Sequence, residues 1–104
     1  MDTAIERCYR AVPPRALRDL APSSGSLALR CYQTGCTNCA DFDVDGRTTF
    51  EERLRREYGA STRIHPWNCA VPHLRDLARE AGVTELPAYV LVSASGDVTV
   101  RPVS

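Results

Sequence analysis

Cys31, Cys36 and Cys39 fall within nine residues, and Asp41, Asp43 and Asp45 follow at alternate positions. Cysteines at this spacing serve thiol–disulfide exchange or metal ligation. Cys36, Thr37, Asn38 and Cys39 form a C-x-x-C, in which two intervening residues let both sulfurs lie on the first turn of a helix, close enough to bridge. There, unpaired backbone N–H groups and the helix dipole stabilise a thiolate on Cys36. Cys36 would attack a disulfide and Cys39 would resolve the mixed disulfide.

The same residues admit a metal. Cys31, Cys36, Cys39 and Cys69 read C-x4-C-x2-C with a fourth cysteine far downstream, the order of plant-type [2Fe–2S] ferredoxins, and four thiolates would make the chain an electron carrier. The surroundings disagree, because those ferredoxins resemble a β-grasp, whereas here the region before the first cysteine is helical. Cys31 also alternates with Leu27 and Leu29, as a buried core thiol does. Zinc could use these cysteines with His65 or His73 replacing one, but a second closely spaced pair is absent. Asp41, Asp43, Asp45 and Glu52, with Gly46 at the turn, match the calcium-loop pattern D-x-D-x-D-G-x5-E. No entering helix precedes them and Thr48 replaces the usual aliphatic residue. The plainer reading is a solvated acidic loop with Asp45 and Gly46 in a tight turn.

The elements that must carry these residues follow from periodicity. Ile5, Cys8, Tyr9 and Val12 keep helical spacing, with Thr3 and Glu6 in capping-box positions, and Cys8 is a buried hydrophobe on that helix. Pro13 and Pro14 stop it, and Leu17 and Leu20 face inward from a short helical turn. Leu27, Leu29 and Cys31 alternate with Ala28, Arg30 and Tyr32, which predicts a strand ending at the cysteines. Residues 40–48 read as a polar turn. Phe50, Leu54 and Tyr58 predict a helix with Thr49 and Glu52 as its capping box and Gly59 as its stop. Residues 61–67 form a weaker strand demoted by Pro66. Pro72 opens a second helix through Leu74, Leu77, Ala78 and Ala81 to Gly82. An apolar strand from Ala88 and the alternating residues 97–103 then form a hairpin.

Strands separated by helices imply parallel pairing in an α/β layer arrangement, with the hairpin adding an antiparallel edge. The 104 residues make one domain, with 1–26 a helical extension and 27–104 the core. The chain is 43% hydrophobic and 25% charged, ordinary globular values, and its formal charge is zero. All thirteen bases are scattered arginines, so neither composition nor pattern suggests a nucleic-acid footprint. There is no long apolar segment to span a membrane or direct export, which makes the cytoplasm the expected compartment. An odd cysteine count there argues against a structural disulfide framework. No Ser/His/Asp arrangement or phosphate-binding glycine loop is present.

The stretch "GVTELPAYVLVSASGDVTV" resembles the thioredoxin superfamily, in which a helix leads through a proline step into a strand, a glycine turn and a second strand. "LALRCYQTGC" is similar to that family's strand running through an aromatic residue to the first cysteine. The resemblance covers Leu27 to Val100. It implies a three-layer α/β fold whose central mixed sheet of about four strands is flanked by helices. It further implies a thiol–disulfide oxidoreductase acting on protein or small-molecule disulfides and thiols, without a cofactor. By resemblance Pro87 is the cis-proline opposite the Cys36/Cys39 dithiol and Leu86 offers its backbone to the substrate, with Tyr32 before the dithiol as a further contact; Trp67, in the loop after the second strand, reads as core or edge packing or, near the dithiol, as a substrate contact.

Departures from the family pattern carry their own expectations. Gly35 replaces a tryptophan beside the first cysteine. Arg30 stands where thioredoxins bury an aspartate, and its fixed charge would tune the dithiol toward thiolate. The segment between Cys39 and the next helix is longer than usual. The family's last helix is missing, which would leave an apolar sheet face for a second copy or a partner protein to cover. A non-catalytic binding module using that face is the remaining alternative.

Overall fold

The computed structural model describes residues 14–103. The helix expected over residues 3–12, with Cys8, lies outside them. The elements are a short 3-10 turn at Leu17–Leu20, β1 (Ser26–Tyr32), α1 (Thr37–Asp45), α2 (Arg47–Tyr58), β2 (Arg63–Asn68), α3 (Pro72–Ala81), β3 (Ala88–Ser93) and β4 (Val98–Pro102).

The four strands form one mixed sheet in the order β2-β1-β3-β4. β1 runs parallel to β2, with Cys31 opposite Trp67, and antiparallel to β3, with Arg30 opposite Tyr89. β4 closes the antiparallel hairpin at the far edge. Pro66 is tolerated because β2 is an edge strand, where one side of the backbone needs no ladder partner.

Alternation sorts the strand side chains into two cores. Leu27, Leu29 and Cys31 of β1, with Ala88, Val90 and Val92 of β3, pack against Leu74, Leu77 and Ala78 of α3 and against Leu17 and Leu20. Ala28, Tyr89 and Leu91 face the other way onto Leu54 of α2, joined by Phe42, Phe50 and Tyr58. Residues 88–92 are all buried, so β3 is covered on both faces and reads as a continuous apolar run. The bare apolar face expected from the missing helix is therefore not found on the central strands. Exposure of large apolar side chains on the sheet is confined to Val98 of the edge strand β4 among the described residues.

The largest correction concerns residues 40–48, expected to be a loop. They are helical through Asp45, and Cys39 belongs to that helix rather than preceding a long connection. Cys39 and Phe42, three residues apart, face inward, and Phe42 meets Phe50 and Tyr89 edge-on at 5.9 and 6.1 Å between centroids. Burying that ring outweighs the weak helix propensity of three aspartates. Only Gly46 separates α1 from α2, its N–H donating the first helix's terminal bond to the Phe42 carbonyl and its own carbonyl accepting the second helix's first bond from Phe50 N–H. The capping box expected from Thr49 and Glu52 is accordingly absent, because the N-cap of α2 is Gly46, three residues before Thr49. The helix stop at Gly59 and the one at Gly82 are as expected.

Candidate redox site

β1 delivers the chain to the sulfur pair. After Tyr32 the backbone turns, the Cys36 N–H donating to the Gln33 carbonyl at 3.1 Å, and Cys36 becomes the N-cap of α1. Its sulfur takes the place of a capping oxygen, accepting the Cys39 N–H at 3.2 Å. The Cys39 thiol points at the same atom, with the two sulfurs 2.6 Å apart. Two donors thus converge on Cys36 Sγ at the positive end of a helix.

The two cysteines are not equivalent. Cys36 is half-buried, whereas Cys39 is 6% exposed. Burial, and then the hydrogen bond to Cys36, push the Cys39 thiol up to about 11, and the nearby Asp43 carboxylate adds to the rise. Cys39 is therefore a protonated donor at neutral pH. Arg30, with a side chain 14% exposed, lies 3.8 Å from Asp43 and 5.0 Å from the centre of the Tyr32 ring. Its charge is thus engaged by a carboxylate and an aromatic face.

The Leu86–Pro87 peptide is cis. Pro87 and Leu86 share a groove of about 600 Å³ with Asn38, Asp41 and Phe42 of α1, with Glu85 on the same loop and the end of β4 closing one side. Of its lining residues, Asn38 stands between the two cysteines on the first turn of α1. Trp67 takes no part in it: it is 1% exposed, and its ring Nε1–H donates to the Leu74 carbonyl at 2.9 Å. The expectation that Trp67 contacts substrate is corrected, since its place on β2 turns it toward α3.

The four candidate cluster cysteines separate into two pairs. Cys31 and Cys69 sit in the core beneath α3, 0% and 3% exposed. Each thiol donates to a carbonyl two residues back, Leu29 and Trp67, and the proximity of Cys69 together with burial holds the Cys31 thiol far above its ordinary range, so it remains neutral. Among the described residues no three His, Cys, Asp or Glu side chains gather as a metal-holding group. The alternative [2Fe–2S] and calcium ligand sets are therefore not assembled: Asp41, Asp43 and Asp45 lie along one helix and Glu52 on another. His73, one zinc candidate, has its Nε2 2.7 Å from the Pro14 carbonyl, and His65 lies on the edge strand β2.

Two features were not read from the sequence. Asp41 and Glu85, 44 positions apart, share the groove, which only their helix and loop bring together. Glu51, 8% exposed, accepts the Tyr89 hydroxyl at 2.5 Å and lies 3.5 Å from Arg47. Burial, and then Glu51, raise the Tyr89 hydroxyl well above its usual range. A glutamate on the same helix face as Leu54, three residues on, was the available signal for Glu51.

No protein-family model matches the sequence, and no curated protein sequence matches it significantly. Solved structures do. The J-Trx1 fragment of ERdj5 superposes with a TM-score of 0.55 at 22% identity, over 86% of this chain and 41% of that one. The first two thioredoxin domains of Saccharomyces cerevisiae Eps1p give 0.54 at 18% identity, over 88% and 35%. A chain from a study of thiol resolution in a yeast mitochondrial 1-Cys peroxiredoxin gives 0.51 at 23%, over 79% and 69%. This chain thus spans well under half of the first two. With a four-stranded mixed sheet, helices on both faces and these neighbours, the chain has the α/β thioredoxin fold.

Proposed function

We propose that the chain is a thiol–disulfide oxidoreductase whose nucleophile is Cys36. The observation that carries this reading is the convergence of the Cys39 N–H and thiol on Cys36 Sγ at the N-terminus of α1. Cys36 as thiolate attacks one sulfur of a substrate disulfide, that S–S bond breaks, and the leaving thiolate takes a proton from solvent. Cys39 then loses its proton and attacks Cys36 Sγ, releasing the second substrate thiol. The substrate gains two electrons and the protein is left with a Cys36–Cys39 disulfide, which an external dithiol must reduce before the next turnover. The electrons reside on sulfur throughout, so the exchange needs no resident cofactor.

Pro87 and Leu86 line the groove in which the substrate chain would lie, and Tyr32 borders the turn leading to Cys36. The fold neighbours support a redox role in that several of them are redox or disulfide proteins, the peroxiredoxin study among them. Protein disulfides suit the open groove, and the cytoplasm remains the proposed compartment. A second copy or partner chain is proposed no further than the exposed edge of β4.

Reduction of a disulfide substrate by a dithiol donor tests the mechanism. Cys36→Ser should lose more than about 100-fold, to background, because the hydroxyl is not a competent nucleophile here. Cys39→Ser should accumulate a mixed disulfide visible by intact mass. Equal turnover by wild type and Cys36→Ser would overturn the assignment and leave a binding module.

A further inference from the structure

The acidic run that matched a calcium loop has no metal-binding role in the mechanism, yet one of its members lines the substrate groove. Asp41 stands on α1 two residues beyond Cys39, and Glu85 stands on the loop immediately before Leu86 and the cis Pro87. The two residues come from different elements. Between them, Phe42, Leu86, Pro87 and Val103 supply apolar surface, and among the described residues no arginine or histidine lines the groove.

Their carboxylates are not taken up by the arginines that neutralise other acids of the two helices. Asp43 has Arg30 and Arg47, Glu51 has Arg47, and Glu57 has Arg101. Among the described residues Asp41 and Glu85 have no arginine or histidine within ion-pair distance, and both are exposed. A groove with carboxylates at its rims and apolar walls matches a side chain with an apolar stem and a cationic head. It opposes an anionic ligand by the same charges.

Resting on the redox reading above, we propose that the groove selects disulfides in which an arginine or lysine flanks the reacting cysteine, with Asp41 and Glu85 receiving the cationic head. Asp41 and Glu85 act here as specificity residues. The dithiol performs the same exchange on any disulfide that reaches it, and the groove decides which arrive in register.

The test compares two disulfide-bridged peptides, identical except for arginine or glutamate beside each cysteine, as oxidants of the pre-reduced full chain. At about 0.01 M salt the arginine peptide should react about tenfold faster, the sum of two exposed charge contacts. The preference should fall toward unity in an Asp41→Asn/Glu85→Gln double variant. It should also fall in the wild type at about 1 M salt, where the screening length drops from about 30 to about 3 Å. The salt series needs no variant to fold. Equal rates for the two peptides, or a preference that survives both treatments, would overturn the proposal while leaving the oxidoreductase intact. Reaction with neither peptide, combined with no turnover of a small disulfide, would instead overturn the redox reading on which it rests.

Discussion

The two sulfurs of the dithiol differ because one caps a helix and the other is buried in it. Cys36 is half-exposed, and two donors face it; Cys39 is 6% exposed and its thiol is held up at about 11. A thiol reacts with alkylating reagents only as thiolate. In the folded, reduced protein at pH 8, iodoacetamide should therefore modify Cys36 well before Cys39, with Cys39 following only as the pH approaches 11. Peptide mapping after timed quenching would show this, and equal rates at pH 8 would contradict it. The linked effect on stability has a definite sign. Folding keeps a proton on Cys39 that the unfolded chain releases near pH 9, so this contribution is whole below pH 9 and is lost as the pH rises toward 11. The C-x-x-C itself was legible in the sequence, since two intervening residues are a local constraint. The inequality between the sulfurs was not, because burial depends on what packs over the helix.

The helices show where local signals suffice and where they do not. Gly82 ends α3 with φ at 111°, its N–H reaching the Ala78 and Arg79 carbonyls, while Val83 N–H bonds back to Ala78 at 3.0 Å. A Cβ at Gly82 would lie 3.8 Å from Val100 Cγ2, an ordinary contact, so Gly82→Ala meets backbone strain alone. It should cost about 1–2 kcal/mol, read as a melting midpoint lowered by about 4–8 °C per kcal/mol. An unchanged midpoint would show that the turn relaxes. That stop was readable because a glycine after helical periodicity acts over a few residues. The α1 segment was misread for the opposite reason: its aspartates and Gly46 are local turn signals, and the contact of Phe42 with Phe50 and Tyr89 that overrides them is tertiary.

Across the whole molecule, the parallel pairing of β1 with β2 decides what lies on which side. It sets Trp67 beside Cys31 and turns both toward α3, away from the groove. Trp67 is the only tryptophan, so its fluorescence reports this placement directly. Emission from the native protein should be blue-shifted and nearly insensitive to iodide, and both properties should be lost in denaturant. Trp67→Phe should lower stability by about 1–3 kcal/mol, through smaller volume and loss of the bond to the Leu74 carbonyl. Its rate of disulfide exchange should remain close to wild type under conditions where it is folded. Native emission quenched as readily as the unfolded chain's would place the ring at the surface.

The amino-acid sequence by itself determined the order of strands and helices from β1 onward apart from the body of α1, the position of the dithiol at the end of β1 and the proline step before β3. Each of these is written in spacings of two to four residues, within reach of a single turn or hairpin. The tertiary structure alone decided the rest. It separated four cysteines into a pair at the start of α1 and a core pair, buried Trp67, covered both faces of β3 and brought Asp41 and Glu85 to one groove. These outcomes depend on which elements stack across the sheet. That choice is made by the total apolar area two faces can bury together, a quantity no short stretch of residues contains.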